Sequence, residues 1–406
     1  MTDQFGYEDN KYDVIMFNMS SMYDWDHGIV NRNYNILNTL QKEDKIHRII
    51  SVDFFPIGWK KGVKHYFQNI LWEVKSAEMV YGDLTSACYQ KSEKIYVYSS
   101  IDSLFSMKQI SKELKRIEKV LNLKNIIFWS YNPMFVDFIG KLNEKLFVFD
   151  TVDNWTHHDQ YTKMVSKKKL TKNYEKIAKT ADLVFTVSKD LEGFYKDLGR
   201  EKDTFWVPNG VDIDHYNDQT IIDGKTSLDR YTQPIIGYMG TMETRFDIDL
   251  VVEVAKKHPD KIIALCGPVW KETEKEMHYK FKGLENIVLT GRIPYKEAPA
   301  YFSRFNVGIV PHKVTDFAKS MNPMKFYEYM ATGLPIVTTP VPGSEIFENK
   351  IYQAENADGF NQAITDALLE DSEELRQARI TEAKRHSWHA RVDEMIDQIS
   401  LKLDWK

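Results

Sequence analysis

Cysteine is almost absent from this 406-residue sequence: Cys88 and Cys266 are the only two, and no Cys-x-x-Cys spacing occurs. That excludes a disulfide framework and a structural zinc site, and it is the usage of a reducing compartment. No run approaches the roughly 18 apolar residues of a membrane span. The opening MTDQFGYEDNKYD has neither the basic nor the apolar region of a secretory signal, so a cytoplasmic enzyme is expected. The Asn-x-Ser/Thr triplets at Asn18 and Asn154 then carry no expectation of a glycan. Positive charge is not in excess either. With 54 basic against 59 acidic residues the net charge is −5, so the whole-molecule field repels a polyanion, and nucleic acid is not expected as a partner. Internal repeats and low-complexity tracts are also missing. What is there, 43% hydrophobic, 28% charged and 13% aromatic residues, is the composition of packed domains, and the length suits two of them.

Short apolar runs rich in β-branched and aromatic residues recur at 13–18, 47–54, 95–99, 125–130, 146–153 and 183–188, each reading as a buried parallel strand. Segments of helical period separate them, as at 170–181 and at 110–121, where Ile110, Leu114, Ile117 and Leu121 share a face. After a polar, turn-rich stretch at 217–233 the alternation restarts, with strands at 234–240, 261–267, 286–291, 307–311 and 336–339. The expected class is α/β, with two doubly wound units whose parallel sheets carry helices on both faces. Ligands of such units bind beyond the carboxyl ends of the strands, and two units facing each other make a cleft. The division expected is 1–216, 233–385 and a closing segment 386–406. In that segment an amphipathic helix at 388–403, with Val392, Ile396, Ile399 and Leu403 on one face, packs back on the first domain.

The most informative stretch is SMNPMKFYEYMATGLP, 320–335, followed by the strand IVTTP. It predicts a helix over 324–331, with Pro323 at its start and Gly333 at its stop. Amides from Ser320 to Met324, at the carboxyl end of the strand NVGIVP, form an anion site. Lys325 adds a full positive charge in the first turn, where the helix dipole disfavours it unless an anion is bound. Glu328, one turn on, is placed to accept hydrogen bonds from a ribose diol; the plain alternative is an i, i+3 pair with Lys325. In the first half, FDTVDNW sets Asp150 and Asp153 at the end of a buried strand. A carboxylate there serves as general base on an acceptor hydroxyl, Asp153 being the first choice, unless it caps the next helix or satisfies loop amides. His157 and His158 read as surface. Lysines mixed with aromatics at 58–75 and 163–179 suit an anionic membrane surface, the alternative being a solvated helix face.

PMKFYEYMATGLPIV, 323–337, matches at every fixed position the pattern P-x-K-x-x-E-Y-x-A-x-G-x-P-[IV]-V. ADLVFTVS at 181–188, VPNGVD at 207–212, GYMGTMETRFDIDL at 237–250 and GRIPYKEAPAYFSRFNVGIVP at 291–311 stand in the matching order and span nearly the whole chain. By these motifs the sequence resembles the nucleotide-sugar-dependent glycosyltransferases of the GT-B fold, closest to family 4 (group 1). The resemblance implies two Rossmann-like domains, an acceptor-binding one and a donor-binding one. It also implies a nucleoside diphosphate sugar as co-substrate, most often uridine-linked, with no further cofactor and no metal, since the leaving diphosphate is neutralised by helix dipoles and basic side chains. Asp24-x-Asp26, like the metal-binding DxD of another glycosyltransferase fold, is set aside on that ground.

Carried over residue by residue, Glu328 stands where the ribose hydroxyls are held, and Lys325 where a basic residue meets the diphosphate. Ser320, Met321, Asn322 and Met324 supply the amide start of that helix. Gly240 and Thr241 form the phosphate loop, Arg292 and Ile293 read the base, and Gly267 flanks the same pocket. In the first domain Gly28 and Arg32 belong to the loop that approaches donor and acceptor, while Asp150, Asp153 and Trp155 belong to the acceptor loop. The chain departs from the pattern twice. Ser320 replaces a glutamate eight residues before Glu328, and Thr241 and Phe246 replace an arginine and a lysine, for which Arg245 is the substitute. The function expected is sugar transfer to a hydroxyl of a saccharide or lipid-linked acceptor in cell-surface polysaccharide or glycolipid synthesis, at the inner face of the membrane. Retention of anomeric configuration is implied by the resemblance, inversion by an aspartate base. The alternatives are a non-catalytic nucleotide-sugar-binding subunit and a sugar-nucleotide epimerase or hydrolase.

Overall fold

The structure, a computed structural model, describes residues 11–53, 78–82, 86–100, 107–347 and 350–403, together with Val63 and Phe67. The chain divides into two compact units, Met1–Val207 with Val392–Lys406, and Pro208–Arg391. Residues 208–216, grouped with the first half in the sequence reading, thus fall in the second unit.

In the first unit the strands are β1 (Tyr12–Phe17), β2 (Ile46–Val52), β3 (Glu78–Gly82), β4 (Ser86–Gln90), β5 (Ile95–Ser100), β6 (Ile127–Ser130), β7 (Leu146–Thr151), β8 (Leu183–Thr186) and β9 (Thr204–Trp206). They form one sheet in the order β3-β4-β5-β2-β1-β6-β7-β8-β9. β1, β2, β6, β7 and β8 are buried over most of their length, as their continuous apolar runs require. The sheet is not wholly parallel: β4 runs antiparallel to β3 and β5. β3 and β4 carry Glu, Gly, Ser and Gln and have no apolar run, so this edge gave no strand signal.

The second unit has β10 (Ile235–Met239), β11 (Ile262–Cys266), β12 (Ile287–Gly291), β13 (Val307–Val310), β14 (Ile336–Thr338) and β15 (Tyr352–Gln353) in the order β12-β11-β10-β13-β14-β15. All pairs are parallel. Successive residues of a strand point to opposite faces, and both faces are covered. Ile235, Ile262, Ala264, Val310 and Ile336 join one core cluster; Ile236, Tyr238, Ile263, Leu265, Ile309 and Val337 join the other. Each large apolar side chain so buried is worth roughly 1.5–3 kcal/mol. The Lys325–Ala331 helix lies close on this sheet because Gly308 leaves room for it: a Cβ at Gly308 would stand 2.7 Å from the Tyr329 ring. Tyr329 Oη then accepts from the Met239 N–H at 2.9 Å, which locks the helix to the carboxyl end of β10.

The Trp388–Leu403 helix crosses the division, its residues from Val392 onward counting with the first unit. Val392, Met395 and Ile399 are buried, Ile396 and Leu403 half-buried, so the apolar stripe is centred one residue before its expected line. Among the described residues no helix is long and apolar enough to cross a membrane. The basic stretch 58–75 lies outside the described residues, Val63 and Phe67 apart. In the second one, the Lys167–Thr180 helix buries Leu170, Tyr174 and Ile177 and exposes Lys167, Lys168, Lys169, Lys172, Lys176 and Lys179.

Candidate active site

At the carboxyl ends of β10 and β11 the backbone turns through Gly240 (φ 148°) and Gly267 (φ 142°), a region open to glycine and costly for other residues. The two are pressed together: a Cβ on Gly267 would come within 2.1 Å of the Gly240 carbonyl oxygen. A Cβ on Gly240 would lie 2.7 Å from Lys325 Nζ. Lys325, the first residue of its helix, therefore reaches back over the strand end, its ammonium 5.2 Å from the centre of the Tyr238 ring. Tyr238 Oη donates to the Thr241 carbonyl at 3.0 Å and lies 3.4 Å from His312 Nε2.

Arg245 stands on the same side. Its Nη2 pairs with Glu243 Oε1 at 2.6 Å and its Nη1 donates to Met321 Sδ at 3.4 Å. The Arg245 carbonyl accepts from Lys313 at 2.7 Å, beside an antiparallel bridge between Phe246 and His312. Phe246 is fully buried, so the position where the resemblance looks for a lysine is a core position here, and the cation has moved one residue along the chain.

The charges of this cluster oppose one another. Burial lowers the pKa of Lys325, and the Arg245 guanidinium lowers it further against the pull of Glu328 and Glu243. Burial raises Glu328, against the pull of Lys325 and of the nearby Tyr216 phenol. His312 is held well below its ordinary range, first by burial and then by Lys325 and Arg245, so it is neutral. Two cations kept near each other, with a backbone made close-approachable by glycine, form a seat for an anion. No side chain caps the start of the Lys325–Ala331 helix; the Phe326 and Tyr327 amides bond back to the Pro323 and Met324 carbonyls.

Other residues expected here have different employment. Asn322 is 6% exposed and its side chain is committed: Oδ1 accepts from the Asn209 N–H at 2.8 Å and from Tyr327 Oη at 2.9 Å. It builds the helix start and does not offer its side chain to a ligand. Ser320 is 1% exposed, Met321 bears on Arg245, and Met324 is the helix-capping position. Arg292 is exposed after β12, and Ile293 is half-buried against the core. Sequence reasoning missed Tyr216, Tyr238, Glu243 and His312; Tyr238 lies inside an apolar run and the other three carry no local pattern that points to the site.

In the first unit Arg32 and Asp150 come together, but with each other. Arg32 Nε donates to Asp150 Oδ1 at 3.1 Å and Oδ2 at 3.0 Å, the side chains being 2% and 0% exposed. Burial raises Asp150 and Arg32 pulls it back. This is a buried ion pair between the start of the Arg32–Leu40 helix and the end of β7, joining two residues for which acceptor contacts are expected. Gly28 (φ 80°) ends the Met22–Asp26 helix, its N–H donating to the Trp25 carbonyl at 2.9 Å, so its freedom serves a helix stop. Trp155 is a core residue, 1% exposed and stacked on Tyr161 with centroids 3.8 Å apart; its ring is not presented to an acceptor.

Asp153 is half-buried just past β7, its carbonyl accepting from Tyr174 Oη at 3.1 Å. The cap of the following Trp155–His157 turn is Asn154, whose Oδ1 accepts from the Thr156 N–H at 3.0 Å, so the capping alternative for Asp153 falls away. Asp24 closes a capping box with Ser21, and Asp26 pairs with Lys91 at 2.6 Å.

Residues 233–371 match the family model for glycosyl transferases group 1. Over 204 residues the chain is 26% identical to Bacillus subtilis TuaH, a protein named as a glycosyltransferase of teichuronic acid biosynthesis; the match takes in 47% of this chain and 49% of that one, so it spans about half of the relative. Among solved structures, sucrose-phosphate synthase of Thermosynechococcus elongatus superposes with a TM-score of 0.69 at 14% identity, covering 98% of this chain and 100% of that one. Anabaena HepE in complex with UDP and glucose gives 0.66 at 13% identity, covering 96% and 99%. The chain therefore has the GT-B fold of these structures, and its residues 233–371 are similar to the group 1 glycosyl transferases.

Proposed function

We propose that this protein transfers a sugar from a nucleoside diphosphate sugar, uridine-linked, to a hydroxyl of a saccharide or lipid-linked acceptor in cell-surface polysaccharide or glycolipid synthesis. The observation that carries the reading is Lys325 reaching back over the strand-end glycine Gly240, with Glu328 one helical turn on and Arg245 held by Glu243 and Met321 on the same side. A diphosphate relieves the repulsion of those two cations, and the glutamate takes the ribose. HepE has been crystallised with UDP and with UDP-glucose, and TuaH is named for teichuronic acid biosynthesis, which supports the donor base and the acceptor class.

In this reading the acceptor oxygen forms a bond to the anomeric carbon while the bond from that carbon to the diphosphate breaks. Lys325, Arg245 and the amides ahead of the helix hold the departing charge, which needs no metal or organic cofactor. Asp153 takes the acceptor proton, after being held within reach of it. Arg292 and Ile293 bear on the base, and Gly267 lets the chain approach the nucleotide. The exposed lysines of Lys167–Thr180 rest on anionic lipid at the cytoplasmic face of the membrane, where a lipid-linked acceptor is met.

The test is a thermal-shift panel of nucleotides and nucleotide sugars, followed by acceptor-dependent release of the nucleoside diphosphate. A selective rise of the midpoint with one donor is expected. Loss of release in Asp153→Asn with donor binding intact is expected too. Turnover unchanged in both Asp153→Asn and Glu328→Ala would end the catalytic reading, and consumption of donor without acceptor would turn it into a hydrolase.

A further inference from the structure

The loop that follows β10 is pinned along its length. The Gly240 N–H donates to the Cys266 carbonyl at 2.8 Å and the Met242 N–H to the Pro268 carbonyl at 2.9 Å. The Met242 carbonyl accepts from the Trp270 N–H at 3.1 Å and from Thr273 Oγ1 at 2.9 Å. Met242 and Phe246 are fully buried, and the Phe246 N–H donates to the Glu243 carbonyl at 2.9 Å, closing a turn over residues 243–246. The fold therefore fixes the backbone from which the Glu243 and Arg245 side chains spring.

An arginine side chain left to itself on such a loop samples many rotamers. Glu243 restricts Arg245: its Oε1 lies 2.6 Å from Arg245 Nη2, the side chains being 10% and 22% exposed. The rest of the guanidinium is not spent in that way. Nη1 donates to Met321 Sδ at 3.4 Å, and a thioether sulfur is a weak acceptor. Nε is buried and has no hydrogen-bond partner among the described residues. A guanidinium carries five N–H donors in a planar fork that suits carboxylate and phosphate oxygens. One corner of this fork is held by a carboxylate, and stronger acceptors than a sulfur are wanting for the others.

By charge alone Glu243 is out of place in an anion site, because it repels an incoming diphosphate and lies near enough to Lys325 to favour that ammonium's charged form. Its use is geometric. Thr241 and the buried Phe246 stand where the resemblance looks for cations, so the substitute, Arg245, leaves the loop from a different point and must be steered. We propose that Glu243 is a positioning residue of the donor site: by holding Nη2 it fixes the plane of the Arg245 guanidinium and sets the donors it does not take for the diphosphate of a nucleotide sugar. The assignment rests on the donor reading above and adds to it the group that makes the displaced arginine serviceable.

The experiment is calorimetric titration of UDP into the full-length wild type, Glu243→Ala, Glu243→Gln, Arg245→Ala and the variant carrying both alanines. Glu243→Gln keeps an oxygen for Nη2 and removes the charge. Glu243→Ala is expected to weaken UDP about tenfold, Glu243→Gln less than about threefold, and Glu243→Ala on the Arg245→Ala background less than about twofold. A tenfold loss that persists on that background would show a merely structural role. UDP held by Glu243→Ala as tightly as by the wild type would show an idle carboxylate, and held more tightly, one that competes with the diphosphate. Glu243→Gln as weak as Glu243→Ala would show that the charge matters and the hold on Nη2 does not. Each of these results overturns the proposal. Failure of the donor reading has a different signature, because the wild type then binds no UDP or Arg245→Ala binds it as tightly as the wild type.

Discussion

Each unit of this protein places a cation and a carboxylate at the carboxyl ends of parallel strands, and the two are built in opposite ways. Arg32 and Asp150 are sealed from water, and Arg32 Nε bonds both carboxylate oxygens. Lys325 and Glu328 are only half-buried, and Lys325 is drawn to the Tyr238 ring and the Gly240 backbone. Arg245, a like charge, stands near Lys325 and weakens its hold on its proton. The first pair is held together inside the protein, whereas in the second the cation and the carboxylate remain half-buried and the cation lies over an aromatic ring. Sequence alone could not separate them, since both show a basic and an acidic residue near strand ends.

The comparison breaks first on stability. Removing one member of the sealed pair, Arg32→Met, leaves a buried carboxylate alone and is expected to cost about 3–5 kcal/mol in urea unfolding. Arg32→Met with Asp150→Leu should recover most of that loss. If Arg32→Met keeps its stability and loses turnover, the pair is a site after all.

Lys325→Ala is the opposite case. UDP affinity is expected to fall by about ten- to a hundredfold, while stability holds or rises because a like-charge contact with Arg245 is gone. A large stability loss would place Lys325 with the scaffold.

A smaller effect is expected from pH. Lys325 titrates below the ordinary lysine range and must be charged to hold a diphosphate, so UDP affinity declines as pH rises through that lowered pKa. Glu328 titrates above the ordinary carboxylate range and must be ionised to accept a diol, so affinity also declines as pH falls through that raised pKa. The result is a bell narrower than free side chains would give, with limbs that belong to the Lys325, Glu328, Tyr216 and Arg245 cluster as a whole. On the alkaline side binding should take up protons, which calorimetry in buffers of different ionisation enthalpy reads directly. A flat profile from mildly acidic to mildly alkaline pH would contradict the cluster.

The smallest effect on folding belongs to the lysine face. Lys167, Lys168 and Lys169 changed together to Glu should move stability by less than about 0.5 kcal/mol, yet abolish flotation with anionic liposomes. Flotation unchanged would remove the membrane from the account.

Much of this was legible in the residues. The apolar runs located β1, β2, β5 to β8 and β10 to β14 within a few residues, because strands buried on both faces must be continuously apolar. The antiparallel edge β3–β4 and the short β9 and β15 escaped: β3 is largely exposed, β4 is buried but carries no long apolar run, and β9 and β15 are only three and two residues long. At the site, Lys325 and Glu328 could be read from cap chemistry and spacing, since both lie on one short helix. Tyr216 could not: it lies 112 positions before Glu328 and comes near it only through the fold. Trp155 was misread for the converse reason. An aromatic residue within a motif looks like a ligand contact until its ring contacts are seen to be spent inside the protein.

The most direct test of the account is a crystal structure with UDP. The account predicts the diphosphate against Gly240, with Lys325 Nζ at hydrogen-bond distance, about 3 Å, and the ribose hydroxyls on Glu328. UDP bound elsewhere, or a ribose turned away from Glu328 with Lys325 still lying over Tyr238, would contradict it.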